Sequence, residues 1–140
     1  MLHVSFAMTA DAYADRTKTE TRRFWSASHA AKFQPGTLFM GIDKDFRAGG
    51  KRLHAARVVF CIPQRLELIG QDSFEREGGT RYWRDINHYI EVMGGKDKTP
   101  YVLRFIHLSQ LELESIEFCK WAKGLSSRDL TLLATTGNNQ

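Results

Sequence analysis

The chain has 140 residues, of which 42% are hydrophobic, 11% aromatic and 26% charged. This length fits one domain with a single substantial core, and the composition excludes collagen-like, coiled-coil and wholly disordered chains. Residues 1–65 have eleven basic and five acidic side chains, a net charge of +6. Residues 66–140 have nine basic and eleven acidic side chains, a net charge of −2. The first half is therefore the half suited to an anionic partner such as a phosphate backbone.

Targeting and metal-binding signals are weak. No apolar run approaches the ~20 residues needed to cross a bilayer, and the N-terminus lacks the regions of a secretory signal, so we expect a cytoplasmic protein without a membrane partner. Cys61 and Cys119 are far apart in sequence, which favours reduced thiols over a disulfide or zinc site. The five histidines lack metal-ligand spacing, so we expect no metal and no cofactor.

Apolar patterning predicts four strands, at about 2–7, 37–43, 52–62 and 101–108. The segment KDFRAGGK, between the second and third, is typical of an exposed hairpin loop. The stretch LELESIEFCKWAKG indicates a further passage from strand to helix. The sequence therefore predicts about five strands.

Several segments have helical patterns. Thr9 precedes a short helix over ADAYADR, and SASHAAKF fits one or two turns. The apolar residues Trp83, Ile86, Ile90 and Met93 are spaced 3, 4 and 3 apart, which predicts a helix over 80–93 that packs against the sheet. Near the C-terminus, SSRDLTLLA begins with a pattern resembling a capping box, and TTGNNQ is typical of a disordered tail. Together these elements predict an α+β fold built around a small twisted β-barrel.

The segment DRTKTETRRFW, residues 15–25, has the most informative composition. Four cationic side chains and three threonine hydroxyls lie within eight residues, next to Phe24 and Trp25. Cations neutralise phosphates, hydroxyls hydrogen-bond to them, and an aromatic ring stacks on an unpaired base. A solvated basic loop whose aromatics belong to the core explains the same composition.

This segment, followed by KFQPGTLFMGI, resembles the signature of the ASCH family, in which G-x-K-T-x-T-x-R leads into a Pro-Gly turn and a strand. The resemblance continues through RLHAARVVFCIPQRLELI, FEREGG, TRYWRDINHYI and YVLRFIHL, and covers roughly residues 3–108. It implies a PUA-like twisted barrel with flanking helices. It covers the domain that we place at 1–108. Beyond that domain the chain departs from the family, and we expect an extension at 109–134 packed on the same domain and a disordered tail at 135–140.

The resemblance implies specific site residues. The family's lysine falls on Lys18, its second threonine on Thr21, its arginine on Arg23 and its acidic residue on Glu77, with Glu75 as the alternative acid. In amidohydrolase members of the family, Lys, Thr and Glu form the catalytic group and act on an acetylated cytidine. The Gly-containing turn before the lysine is replaced here by Asp15-Arg16-Thr17.

The chemistry agrees with those roles. The Thr21 hydroxyl attacks an amide, or positions a water that does, only when a base accepts the proton. Lys18 can act as that base if burial or nearby cations lower the pKa of its ammonium. Glu77 would serve the leaving nitrogen and Arg23 the oxyanion. Residues 18 and 21 point to opposite faces of a regular strand, so a shared site requires a bend. In the alternative, Lys18 pairs with Glu20 or Asp15 at the surface.

Three functions remain compatible with the sequence. The first is an RNA- or nucleoside-binding ASCH domain that hydrolyses acetylated cytidine; the others are a non-catalytic RNA-binding module and a metal-independent ribonuclease. For binding we expect a basic face, in a chain for which a monomer is favoured. Its residues would be Arg16, Arg22, Arg23, Lys51 and Arg52, with Trp25 as a stacking side chain.

Overall fold

The computed structural model describes residues 1–123, and its contacts divide the chain into a unit at Met1–Leu108 and a unit at Ser109–Gln140. The strands of the first unit are β1 (Leu2–Ser5), β2 (Glu20–Arg23), β3 (Leu38–Ile42), β4 (Arg52–Pro63) and β5 (Tyr101–His107). The helices are α1 (Ala10–Ala14), α2 (Ala27–Ala30), α3 (Gln71–Glu77) and α4 (Ile86–Val92), with α5 (Gln110–Ala122) in the second unit. Short 3-10 turns lie at Ala7–Thr9, Phe46–Ala48, Leu66–Leu68 and Gly79–Arg81.

The five strands form one mixed sheet in the order β1-β3-β4-β5-β2. Only β1 and β3 pair in parallel; the other three pairs are antiparallel. Register shifts in β3 and β4 bend the sheet into a half-barrel. The fold is thus the predicted small α+β twisted barrel.

The fifth strand is not where the sequence placed it. LELESIEFCKWA is helical within α5, because Ser109 and Glu112 form a capping box that starts the helix. The fifth strand is instead β2, in the basic segment, which pairs with β5. The second capping pattern, at 126–134, the end of the 109–134 extension and the tail at 135–140 lie outside the described residues.

One face of the half-barrel holds the main core. Its buried side chains come from β1 and the residue after it, from α1, β3, β4 and β5, and from the loop before β3: Val4, Phe6, Tyr13, Phe33, Phe39, Ala56, Val58, Leu103 and Phe105. Alternation along the strands directs these residues to one face, as the sequence predicted. Arg23, at the end of edge strand β2, donates from Nη2 to the Ser5 carbonyl at the end of edge strand β1 (2.5 Å). This bond links the two open edges of the sheet.

A second core lies outside the sheet. It consists of Leu66, Ile69, Phe74, Trp83 and Tyr89, with Ile86, Ile90 and Met93 partly buried against it. The predicted apolar stripe is therefore covered, but by a 3-10 turn and α3 instead of by the sheet. The helix α4 begins at Ile86 instead of near Thr80, because Asp85 accepts a hydrogen bond from the His88 N–H and caps it.

Gly41 in β3 makes room for Tyr13, and this contact yields a stability prediction. A Cβ at position 41 would overlap the Tyr13 ring, which is fully buried. We expect Gly41→Ala to lower the free energy of unfolding by about 1–3 kcal/mol or more, as overpacking does. Urea denaturation measures the change. Gly70→Ala is the control, because nothing lies near a Cβ there; equal stability of the two variants would contradict the contact.

No helix within residues 1–123 is long and apolar enough to span a bilayer.

Candidate functional site

A buried ion pair joins Lys18 to Glu77. Lys18 lies between α1 and β2, and Glu77 is the last residue of α3. The Lys18 ammonium donates to Glu77 Oε2 (2.9 Å) and to the Glu77 carbonyl oxygen (2.6 Å). The two residues are 1% and 2% exposed. Gly78, with φ 133°, ends α3 at this point, so the last carbonyls of the helix are available to the ammonium.

Two further donors hold the Glu77 carboxylate. Arg22 Nη1 (3.1 Å) and the Tyr89 hydroxyl (2.9 Å) both bond to Oε1. Burial, the adjacent Glu77 charge and its hydrogen bond raise the pKa of Tyr89, so its hydroxyl stays protonated and donates. Glu77 therefore faces donors from three separate elements, and its carboxylate has one defined orientation.

The environment lowers the pKa of the Lys18 ammonium. Burial is the largest cause, and the charges of Arg23 and Arg22 act in the same direction, whereas Glu77 opposes them. This is the effect that a lysine base requires.

Thr21 and Arg23 form a second group on β2. Thr21 is 4% exposed, and its Oγ1 accepts a hydrogen bond from Arg23 Nε (3.2 Å), which leaves the hydroxyl proton for another acceptor. The Arg23 guanidinium lies over the Phe6 ring at 5.5 Å. Within residues 1–123 no hydrogen bond joins Thr21 to Lys18 or Glu77, so the two groups are separate in the hydrogen-bond network.

Glu20 and Arg22 occupy the opposite face of β2 from Thr21 and Arg23, since side chains alternate. Arg22 Nη2 donates to Gln64 Oε1 (2.8 Å), and Ser73 donates to Glu20 Oε1 (3.2 Å). Within the described part of the chain, Glu20 Oε2 and Arg22 Nε are buried without a hydrogen-bond partner. Burial raises the pKa of the Glu20 carboxyl.

The structure distinguishes the alternatives left by the sequence for the lysine's partner. Glu75 is exposed and accepts a bond from Gln71 Nε2 (3.3 Å), so Glu77 is the carboxylate at Lys18. A surface pair of Lys18 with Glu20 or Asp15 is wrong, because Lys18 is buried; Asp15 bonds to Arg81 instead (2.6 Å).

The residues expected on the basic face are divided between surface and interior. Arg16, Lys51 and Arg52 are exposed. Arg22 is 4% exposed and bound to Glu77, so it does not belong to a surface. Arg23 is partly buried and bound to Thr21 and Ser5.

The predicted stacking side chain is partly occupied. Trp25 is half-buried, and its ring stacks on Phe33 with centroids 4.5 Å apart and planes at 18°. Phe24, the neighbouring aromatic, is 57% exposed and is therefore the free ring of this segment.

Sequence reasoning missed three polar side chains of this network: Tyr89, Gln64 and Glu20. Tyr89 lies on the predicted apolar helix, where nothing distinguishes a hydroxyl that bonds to Glu77 from a core ring. The Glu20 side chain was considered only as a surface partner. Alternation along β2 could have placed Glu20 and Arg22 on one face, had the segment been assigned as a strand.

Two clefts lie nearby. One of about 250 Å³ is lined by Thr17, Asp72, Glu75 and Arg76, and one of about 440 Å³ by Glu67, Asn87, Ile90, Glu91, Gly95 and Lys96. Neither of these two is lined by Lys18, Thr21 or Glu77. Within residues 1–123, no group of three or more His, Cys, Asp or Glu side chains is placed to hold a metal ion.

Comparison with known proteins supports the fold. No family model matches the chain, and no curated protein matches it in sequence. Among solved structures, the chain is similar to protein EF3133 from Enterococcus faecalis V583, of the family DUF984, with a TM-score of 0.53 and 11% identity. The match covers 77% of this chain and 76% of that protein. At this identity the likeness concerns the fold alone.

Proposed function

We propose that this chain is an ASCH-type domain that binds RNA or a modified nucleoside and hydrolyses the amide of an acetylated cytidine, with Lys18, Thr21 and Glu77 as its catalytic residues. The observation that carries the proposal is the buried Lys18–Glu77 pair at 2.9 Å. The ASCH resemblance requires these residues to meet although 59 positions separate them. The fold likeness to a DUF984 protein supports the fold that this proposal assumes.

The ion pair provides both proton-transfer groups. Movement of one proton along the Lys18–Glu77 hydrogen bond would produce a neutral amine and a neutral carboxylic acid, and burial lowers the pKa of the Lys18 ammonium, which favours the amine. The Lys18 amine then accepts the Thr21 proton, which requires the two side chains to approach each other when substrate binds, since no hydrogen bond joins them within residues 1–123. The Glu77 carboxylic acid donates to the departing cytidine nitrogen.

The covalent step follows from these groups. Thr21 Oγ1 attacks the acetyl carbon, the C–N bond breaks, and the nitrogen leaves with the proton from Glu77. Water then cleaves the acetyl ester, and the products are acetate and cytidine. If Thr21 instead positions a water, that water adds directly to the acetyl carbon and gives its proton to Lys18. The nitrogen again leaves with the proton from Glu77, and the products are the same. Arg23, beside Thr21, supplies positive charge for the oxyanion.

Binding would use the exposed groups of the first half of the chain. Phe24 presents a free ring for stacking next to Arg23, and Arg16, Lys51 and Arg52 are surface cations. This arrangement favours an unpaired base over a duplex, because bases in a duplex have no free face.

A combined assay tests the proposal. Purified protein is incubated with acetylated cytidine and with single-stranded RNA, while cytidine release, strand cleavage and binding are followed. We expect cytidine release without cleavage of the RNA chain. We also expect RNA affinity to fall with salt, with a log–log slope of about −0.7 for each phosphate neutralised.

Matched variants separate the two activities. Arg52→Gln should weaken RNA binding and reduce the salt slope. Arg57→Gln is the control: it removes an exposed cation of the same strand that we place outside the binding face, so it should leave both quantities unchanged. RNA binding without cytidine release would leave the non-catalytic module as the function. Strand cleavage would favour the ribonuclease. The absence of both RNA binding and cytidine release would refute the proposal.

A further inference from the structure

Two histidines form a hydrogen-bonded chain that ends on the backbone of Lys18. His54 Nε2 and His107 Nδ1 are 2.6 Å apart, and His107 Nε2 lies 2.6 Å from the Lys18 carbonyl oxygen. The Tyr13 ring is stacked on His54, with centroids 4.4 Å apart, and its hydroxyl donates to the His54 carbonyl (2.8 Å). Both rings are half-buried.

The geometry assigns the protons of this chain. A carbonyl oxygen only accepts, so His107 Nε2 must carry a hydrogen. The Nδ1 of neutral His107 is then an acceptor, and it takes its hydrogen from His54 Nε2. Both neutral rings are therefore protonated on Nε2. His54 Nδ1 can take a further proton without breaking these hydrogen bonds. Protonation of His107 Nδ1 would break one of them, because His54 Nε2 and His107 Nδ1 would then both carry a hydrogen.

Burial, together with the nearby charge of Arg16, keeps the histidine pair neutral. Burial, then the neighbouring His107, then Arg16 lower the pKa of His54 to about 4. Burial also lowers the pKa of His107, with Arg16 acting in the same direction and the Lys18 carbonyl and Asp15 opposing. Tyr13, in contact with both rings, stays protonated because burial raises its pKa.

The Lys18 backbone is held from both sides. Its N–H donates to the Ala12 carbonyl (3.0 Å), and its carbonyl accepts from His107. The side chain leaves this fixed backbone to reach Glu77. A shift of the Lys18 carbonyl would therefore move the ammonium relative to the carboxylate.

We propose that His107 is a positioning residue that fixes Lys18 through its carbonyl oxygen, and that His54 selects the His107 tautomer that this bond requires. The inference deepens the proposed function and rests on it for the role of Lys18 in catalysis. The positional part concerns the folded chain and is tested without any substrate.

Nitrogen-15 NMR of the full chain at pH 7 tests the positional part. We expect both ring signals to show the Nε2-protonated tautomer, and the Lys18 ammonium protons to be protected from exchange. His107→Phe should speed that exchange at least tenfold, and His107→Gln, whose amide can donate to the same carbonyl, should restore most of the protection. His29→Phe is the control, since this half-buried histidine packs on Trp25 and Phe33.

Activity and pH provide the second arm. We expect His107→Phe to lower kcat by on the order of 10- to 100-fold with KM nearly unchanged, because misplacing a reacting group has effects of this size. The pair also predicts that stability falls as pH falls from 6.5 towards 4, since the unfolded chain takes up protons that His54 resists. His54→Gln should reduce that dependence.

The outcomes are separable. An Nδ1-protonated His107, or a folded His107→Phe variant with unchanged Lys18 exchange, would overturn the positional inference. A protein that releases no cytidine while the NMR results hold would refute the proposed function but leave the positional inference in place.

Discussion

Lys18→Met should lower the free energy of unfolding by about 3–5 kcal/mol, because it removes the nearer of the two cations that pair with the buried Glu77 carboxylate and leaves Arg22 as the other. Methionine fills a similar volume, so the loss reports the broken ion pair more than a cavity. From the sequence alone, substitutions at Lys18 and Thr21 are expected to change activity with little effect on stability. The burial of Lys18 at 1% exposure changes that expectation for the lysine. Urea denaturation followed by circular dichroism measures the change.

Two controls identify its cause. Arg81→Met removes a cation from the Arg81–Asp15 pair, whose side chains are 43% and 45% exposed, and should have little effect on stability, because solvent screens an exposed pair. The double variant Lys18→Met/Glu77→Gln should regain part of the loss, since it removes the buried carboxylate together with its nearer cation and leaves Arg22 beside Glu20. A single Lys18 variant no less stable than the Arg81 variant would show that the ion pair is open to water in solution.

Strands that bury apolar side chains were predictable from sequence, and β2 was not. The strands β1, β3, β4 and β5 have apolar residues on their core face, so their patterns predict them. The residues of β2 are ETRR, of which Glu20, Thr21 and Arg22 are buried and Arg23 is partly buried. They bond to one another and to Glu77, Gln64 and Ser73. Hydrophobic periodicity carries no information about a strand whose buried side chains are charged.

The ends of helices show a similar limit. Asp85 and Ser109 each accept a bond from an N–H three residues later, and these caps set where α4 and α5 begin. The sequence contains both residues, but other segments offer equally good capping patterns. The stretch after Ser109 alternates apolar and polar residues at LELE, so its pattern agrees with a strand as well as with a helix. The cap at Ser109 favours the helix.

The meeting of Lys18 and Glu77 came from the family resemblance, not from composition or spacing. Nothing local connects residues 59 positions apart. The supporting residues could not be found in this way, because Tyr89 and Gln64 contribute single donor or acceptor atoms and follow no pattern. Long-range polar partners become visible only when the fold brings their elements together.

Thr21→Val should lower the rate of acetylated cytidine hydrolysis by ~100-fold or more, if the hydroxyl takes part in the reaction. Valine keeps the shape of the side chain and the β-branching suited to β2, and it removes only the oxygen. The stability loss should be near 1 kcal/mol, since Arg23 Nε loses one acceptor while Arg23 Nη2 keeps the Ser5 carbonyl. Activity and stability should therefore separate at this position, unlike at Lys18.

Thr21→Ser provides the decisive comparison, because it restores an oxygen at Oγ and removes only a methyl group. We expect the serine variant to retain activity within about tenfold of the unmodified chain and the valine variant to fall far below it. Steady-state kcat/KM per folded molecule, corrected by the melting temperature of each variant, measures the difference. Equal rates for valine and serine would mean that Thr21 only supports Arg23, and the reaction would then need a nucleophile other than its hydroxyl.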